Sequence, residues 1–295
     1  MKIIDWHSRW ATERGYRGKF VDEETKKASE KYWNWKVDVM TEEEMLAHFR
    51  RNDVRVILDT GKSSFFNKAV PVEELAEQHD YGFEFGRKHA DVILGHWLHF
   101  NPHVPGHLEE FRRCIDRRVG FLGIGGGPFP AASDPAWEPF YKLCIEANLP
   151  VLIFVGMTAL GAGMPGGLGL PLDITHPRHL DITAAMHPDL KIVAARPGWP
   201  WQDETNATII HKGNVMYELH GWSPKYYPES LKYEISHRLK DRILFGADFP
   251  MLKYERLVED WRKLGYSEEI LEKVFFRNSE RYLETLGLKQ ARPGL

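Results

Sequence analysis

Residues 191–220, KIVAARPGWPWQDETNATIIHKGNVMYELH, show the pattern that decides the fold. Two short apolar runs, Lys191–Ala195 and Asn214–Leu219, are separated by the amphipathic stretch Asp203–Lys212. Short runs rich in Val, Ile and Leu are typical of strands that are buried on both faces. A helix between two such strands forms a parallel βαβ unit, so this stretch predicts a strand, a helix and a second, parallel strand.

The same alternation runs through the chain of 295 residues. Further apolar runs occur at Lys2–Trp6, Val54–Asp59, Ala90–Leu94, Gly120–Ile124, Pro150–Val155 and Arg242–Phe245. Helical patterns lie at Glu42–Arg51, Val72–Lys88, Leu108–Arg118, Trp137–Ala147, Pro177–His187, Pro228–Lys240 and Tyr254–Leu264. Eight alternations predict an α/β fold with a single (β/α)8 barrel of the TIM type over residues 1–295. Residues 10–40 are an aromatic-rich insertion after strand one, and residues 267–286 predict extra C-terminal helices.

Composition excludes several classes of protein. The chain has 39 basic and 42 acidic residues and a formal charge of -3, which disfavours nucleic-acid binding because no basic excess exists. No apolar run is long enough for a membrane span, and the N-terminus MKIIDWHSRW lacks the features of a secretory signal. Two cysteines cannot form a disulfide framework, so we expect a protein of the reducing cytoplasm.

Polar residues stand at the ends of the predicted strands. Barrel enzymes carry their active sites at the C-terminal ends of the strands. Asp5, His7 and Arg9 alternate at the end of strand one, and a period of two places them on one face. The later strands end in Arg196, Glu218, His220 and Asp248. A buried acid such as Asp248 needs a counter-charge, a metal or a proton.

Histidines after strand three form a second group of candidates. His96 and His99 lie in GHWLHFNPH, with His103 beyond them. Together with His220 they are candidates for substrate contacts or for an unusual metal site. A single histidine of this kind is more often a hydrogen-bonded packing residue.

Several motifs at these strand ends are similar to those of the amidohydrolase superfamily. They are IDWH (4–7), GFLGIGGGP (120–128), GAGMPGG (161–167), ARPGWPW (195–201), GWSPKYYP (221–228) and LFGADFP (244–250). Over nearly its whole length the chain resembles the amidohydrolase-related branch, which includes metal-dependent decarboxylases, hydrolases and lactonases. The resemblance implies the barrel fold and a site at the barrel mouth.

The resemblance also implies a set of metal ligands, which this sequence keeps only in part. The family pattern has His-x-His at strand one, a histidine at strands five and six, and an aspartate at strand eight. The chain keeps His7 and Asp248, but it has Arg9, Phe154 and Arg196 at the other three positions. Two ligands are too few for a stable catalytic zinc site, so we expect no dinuclear centre. A single Zn, Mn or Fe ion stays possible, with His220 as an additional ligand to the two retained residues.

Two functions follow from this pattern. The first is hydrolysis or decarboxylation of a small carboxylate or carbonyl compound at a metal-poor site, as in lactonases of this branch that work without metal. Asp248 and His7 would then transfer protons, and Arg9 and Arg196 would orient the acid. Further substrate contacts would come from His96, His99, Glu218 and His220, and the insertion 10–40 would act as a lid or wall.

The second function is that of a catalytically silent paralogue, which would assemble with a metal-intact sister chain. For either function we expect a homo- or hetero-oligomer. In either case an arginine can replace the positive charge of the missing ion. We therefore expect at least one guanidinium within salt-bridge distance of Asp248, with Arg196 and Arg9 as the candidates.

Overall fold

A computed structural model describes residues 2–16, 23–34, 39–60, 70–126 and 130–288 of the chain. Eight parallel strands form one sheet in the order β1 to β8. The strands are β1 (Ile3–Arg9), β2 (Val54–Asp59), β3 (Ile93–Phe100), β4 (Phe121–Gly126), β5 (Pro150–Phe154), β6 (Lys191–Ala195), β7 (Val215–Leu219) and β8 (Ile243–Phe245). The helices in the described residues are α1 (Glu13–Tyr16), α2 (Glu23–Trp33), α3 (Glu42–Arg51), α4 (Val72–Lys88), α5 (His107–Arg117), α6 (Glu138–Ala147), α7 (Pro177–Met186), α8 (Gln202–His211), α9 (Glu229–Ser236), α10 (Tyr254–Arg262), α11 (Glu268–Glu272) and α12 (Asn278–Thr285).

Backbone hydrogen bonds between β1 and the segment after β8 bring the two ends of the sheet together. The amide of Asp248 donates to the carbonyl of His7 over 2.7 Å, and the amide of Arg9 donates to the carbonyl of Phe249 over 2.8 Å. The predicted TIM-type barrel is therefore confirmed. The predicted extra helices after residue 267 are present as α11 and α12, which are joined by one π-helical turn.

The barrel interior is filled by large side chains below the mouth. Trp6, Trp97 and Phe121 pack with their rings 4.9–6.4 Å apart. Tyr282 and Leu283 of α12 join this inner cluster, and the indole of Trp6 donates to the hydroxyl of Ser279 over 2.8 Å. The C-terminal helix thus closes the bottom of the barrel and leaves the opposite, C-terminal end of the strands as the open face.

Helix boundaries agree with the sequence signals where a cap is present. Thr41 and Glu44 form a capping box at the start of α3, which begins at Glu42 as predicted. Strand three differs: the prediction was Ala90–Leu94, whereas β3 spans Ile93–Phe100. Polar residues inside β3 hid its true extent, because His96 and His99 break the apolar run on which the prediction relied.

The insertion after β1 is described only in part, and its residues Phe20 and Trp35 lie outside the described ranges. Helix α2 packs on the Gly-rich segment after β5, where Tyr32 lies so close to Gly163 that a Cβ there would be 2.1 Å from Cδ2 of the ring. Part of the insertion thus contacts the segment that follows β5. In the described residues, no helix has the length and apolar character that crossing a membrane requires.

Candidate active site

A chain of ion pairs crosses the mouth of the barrel. The guanidinium of Arg9 lies between two carboxylates: its Nε donates to Oδ1 of Asp248 over 2.6 Å, and its Nη1 donates to Oδ2 of Asp59 over 3.0 Å. All three residues stand at C-terminal strand ends, and their side chains are at most 15% exposed. The expected guanidinium beside Asp248 is therefore confirmed, and it belongs to Arg9.

Asp59 is the hub of this arrangement. Its Oδ1 lies 2.7 Å from Nε2 of His99, and its Oδ2 lies 2.9 Å from Nε2 of His7. Burial raises the pKa of this carboxyl, but electrostatic interactions with His99 and Arg9 and hydrogen bonds with His7 and His99 outweigh burial and hold the pKa well below its usual range. Asp59 is therefore a fixed anion that orients three neighbouring side chains.

An irregularity in β1 places His7 inside the barrel. Asp5 pairs with Val56 and Ser8 pairs with Leu58, so one extra residue is accommodated in β1 between these two pairs. Both Trp6 and His7 can consequently face inward, and Arg9 follows His7 on the inner face. The expectation that Asp5 shares this face is corrected by the same irregularity.

Asp5 has a structural position behind the mouth. Its carboxylate accepts hydrogen bonds from the amides of His7 and Ala247 and, over 2.6 Å, from the hydroxyl of Tyr254. Burial raises the pKa of Asp5 to about 6, although these hydrogen bonds oppose the shift. Asp5 thereby ties β1 to the end of β8 and to α10.

Glu218 and His220 form a buried pair at the end of β7. Nδ1 of His220 lies 2.5 Å from Oε2 of Glu218, and the ring of His220 stacks on that of His7 with centroids 3.7 Å apart. Burial raises the pKa of Glu218 well above its usual value and lowers the pKa of His220 well below its own. Burial thus favours the neutral form of each side chain, and the two lie within hydrogen-bond distance of each other. Oε1 of Glu218 fills the space where a Cβ of Gly246 would lie, only 1.7 Å away.

Arg196 lies at the end of β6 with a backbone φ of +66°, which is unusual for a residue with a side chain. Its guanidinium carbon is 4.7 Å from the centroid of the Phe154 ring. The side chain is partly exposed, but its Nε is buried and has no hydrogen-bond partner among the described residues. Burial lowers the pKa of Arg196 to about 10, and the charge of Asp248 opposes this shift. Arg196 therefore stays a cation at neutral pH.

Asp248 follows β8 with a backbone φ of +56° and is 5% exposed. Gly221 lies beside it, so that a Cβ at this position would be 3.6 Å from Oδ2 of Asp248. The absence of a side chain at Gly221 leaves room next to this carboxylate oxygen.

His96 is the sequence candidate that the structure places elsewhere. Because side chains alternate along β3, His99 faces the mouth and His96 faces outward. His96 packs against Trp10 and against Gly82 and Gly86 of α4, where a Cβ of Gly86 would lie 2.9 Å from its ring. This residue belongs to the layer between barrel and helices, so its expected substrate contact is corrected. The other candidates, His7, Arg9, His99, Arg196, Glu218, His220 and Asp248, all lie at the mouth.

Asp59 is the functional candidate that the sequence interpretation missed. It ends the apolar run Val54–Asp59, just as Asp248 follows the run of the last strand. An acid directly after a buried strand is the signal that identifies both residues. Only Asp248 carried an additional motif, which explains why Asp59 was overlooked.

His7, Glu218 and His220 are candidates for holding a single divalent ion, since one donor atom of each lies within 4.8 Å of the others. The rings of His7 and His220 are, however, parallel to within 9°. A metal binds an imidazole nitrogen through its lone pair in the ring plane, and two parallel planes share no position for one ion. The side chains as arranged therefore do not fit a metal. Oδ1 of Asp248 is already paired with the guanidinium of Arg9, whose Nε lies 2.6 Å away.

Comparisons with known proteins agree with this architecture. The family model for amidohydrolases matches residues 40–284. None of the curated proteins matches the chain in sequence at a significant level. Solved structures with the same fold include an uncharacterized TIM-barrel protein from Bordetella bronchiseptica, with 17% identity, a TM-score of 0.73 and coverage of 97% of this chain and 100% of that one.

Two further solved structures are decarboxylases. The 2,6-dihydroxybenzoate decarboxylase from Rhizobium is 15% identical with a TM-score of 0.65, and the match covers 96% of this chain and 99% of that chain. The 5-carboxyvanillate decarboxylase from Novosphingobium aromaticivorans, complexed with manganese and a nitrobenzoic acid, is 16% identical with a TM-score of 0.65 and 96% coverage of both chains. At these identities the structures show the shared fold, whereas the family model covers most of the sequence. The chain therefore belongs to the amidohydrolase family.

Proposed function

We propose that this amidohydrolase is a hydrolase or carboxy-lyase that acts on a small carbonyl or carboxylate compound without a dinuclear metal centre. The observation that carries the proposal is the position of Arg9, whose guanidinium bridges Asp59 and Asp248. A planar cation with fixed donors supplies positive charge at the mouth and favours the ionised form of a carboxyl group beside it.

Asp248 is the proton-transfer group in this proposal. In hydrolysis, water adds to the substrate carbonyl while its proton passes to the Asp248 carboxylate. The bond to the leaving oxygen then breaks, and Asp248 returns the proton to that oxygen. In decarboxylation, Asp248 first takes up a proton from solvent; the bond to the carboxylate carbon then breaks, CO2 leaves, and the carbon that keeps the electron pair takes this proton from Asp248.

His7 and the Glu218–His220 pair support this chemistry. His7 is held by Asp59 and stacked on His220, so its ring has one orientation. Both histidines and Glu218 are fully buried, which excludes bulk water from that side of the mouth. The two decarboxylases with the same fold favour a substrate with a carboxyl or carbonyl group.

The test measures turnover of a panel of small esters, lactones and aromatic acids by protein treated with a chelator. We expect hydrolysis or CO2 release that survives chelation and that falls by about 10²–10⁴-fold in Asp248→Asn. Activity that disappears with the metal would contradict the proposal. A complete lack of turnover, together with co-purification of a homologous chain, would instead favour the silent-subunit function.

A further inference from the structure

Arg196 differs from Arg9 in having no acidic partner among the residues that the structure describes. The carboxylates of Asp59 and Asp248 contact Arg9, and the carboxyl of Glu218 contacts His220. Within the described ranges, Arg196 forms no salt bridge, and its buried Nε forms no hydrogen bond. Its guanidinium lies over the face of Phe154, which holds the group without neutralising its charge.

An unpaired guanidinium at the mouth is costly to the folded protein. Burial opposes its charge, and the left-handed backbone at this position is an additional strain for a residue with a side chain. Backbone strain of this kind is often found at ligand-binding sites. A guanidinium presents its donors in a planar fork that matches a carboxylate, so the missing partner has the shape and charge of a carboxylate.

We infer that Arg196 anchors a carboxylate of the substrate, and that the substrate is a small carboxylic-acid anion with a separate carbonyl group that is hydrolysed. This inference rests on the proposed function and chooses between its two reactions. Arg9 is not the anchor, because its Nε and Nη1 already donate to Asp248 and Asp59.

The choice of hydrolysis follows from the charge of Arg196. Decarboxylation removes negative charge from the reacting carboxylate, so a cation bound to that carboxylate stabilises the ground state more than the transition state. A carboxylate held by Arg196 therefore serves to bind the substrate and is not released as CO2. The group that reacts is an ester or lactone carbonyl near Asp248, where water adds, the carbon–oxygen bond breaks, and the leaving oxygen receives the proton.

The test is ligand-observed NMR with benzoate and its neutral analogue benzamide on chelator-treated protein. We expect wild type to bind benzoate and not benzamide. Arg196→Gln should lose benzoate binding, and Arg196→Lys, which keeps the charge but not the fork, should weaken it by about tenfold. Arg50→Gln is the matched control, because Arg50 pairs with Asp91 on the exposed surface and lies outside the mouth.

Three results would overturn the inference: no binding of benzoate to wild type, equal binding of benzamide, or unchanged benzoate binding in Arg196→Gln. If Arg196→Gln does not fold, the test rests on Arg196→Lys. Weaker benzoate binding in this variant supports the inference, and unchanged binding overturns it, because only the planar fork has been removed. Release of CO2 from a substrate whose binding depends on Arg196 would also overturn the choice of hydrolysis. Binding is measured without turnover, so an inactive protein that binds benzoate through Arg196 would contradict only the proposed function.

Discussion

Nε of Arg9 lies 2.6 Å from Oδ1 of Asp248, although the two residues are 239 positions apart in the chain. The contact joins the first and last strands of the barrel at the mouth and places a fixed cation beside the carboxylate of β8. Its second donor, Nη1, reaches Asp59 on β2, so one side chain links three strand ends. The electrostatics of the mouth therefore depend on Arg9.

We predict that Arg9→Gln lowers the free energy of unfolding by about 3–5 kcal/mol, because two buried carboxylates lose their shared counter-charge. Arg9→Gln combined with Asp248→Asn should recover part of the loss. Urea denaturation at pH 7 measures both variants against Arg14→Gln, whose parent residue is half exposed and lies 3.5 Å from an exposed glutamate. A single mutant as stable as the control would show that Arg9 does not compensate these acids.

Arg196→Gln, in contrast to Arg9→Gln, is predicted not to lower the free energy of unfolding. The sequence interpretation expected Arg196 to be a partner of Asp248, so that its removal would be destabilising. In the structure, the ion pair with Asp248 is formed by Arg9, and Arg196 has no salt bridge in the described part of the chain. Its removal should leave the free energy of unfolding within about 0.5 kcal/mol or raise it, because the variant loses a charge that partial burial disfavours. A loss comparable to that of Arg9→Gln would restore the original expectation.

Gly246→Ala is predicted to be strongly destabilising, by about 3 kcal/mol or more, because the new methyl group would collide with Oε1 of Glu218. Gly213→Ala is the matched control, since a Cβ at that glycine meets no heavy atom within 4 Å. Thermal and urea unfolding compare the two. Similar stability of both variants would mean that Glu218 is not held against β8.

The stability contributed by Glu110 should depend on pH. Burial raises the pKa of Glu110, but hydrogen bonds from Arg113 and His79 lower it to about 2. A carboxyl whose folded pKa lies below its unfolded value of 4.5 contributes stability above pH 4.5 and loses it as the pH falls toward 2. We expect wild type to exceed Glu110→Gln in stability at pH 7, and this difference to shrink by about 2–3 kcal/mol on acidification. A difference that is independent of pH would contradict the ion-pair account.

The sequence was sufficient for the fold because its helices and strands differ clearly in apolar periodicity. Helix α4 occupies the predicted residues, and a capping box marks the start of α3. The order of elements then leaves few arrangements besides a barrel. The family motifs identified the same strand ends that meet at the mouth.

The contacts inside the mouth could not be predicted in the same way. A simple period of two placed Asp5 beside His7, and the irregularity of β1 that separates them has no clear signal in IIDWHSR. The choice between Arg9 and Arg196 as partner of Asp248 depends on the closure of the sheet and on side-chain reach, which no local pattern encodes. His96 and His99 were assigned to a loop, so their opposite orientations were not foreseen.

The most direct test of the central claim, that Arg9 supplies the positive charge beside Asp248, is elemental analysis of the protein. The chain is produced in medium supplemented with zinc and manganese and purified without chelator, and its metal content is compared with that of Asp248→Asn. The account predicts a substoichiometric metal content in both proteins, together with chelator-resistant turnover by wild type. A stoichiometric ion in wild type that is lost in Asp248→Asn would contradict it.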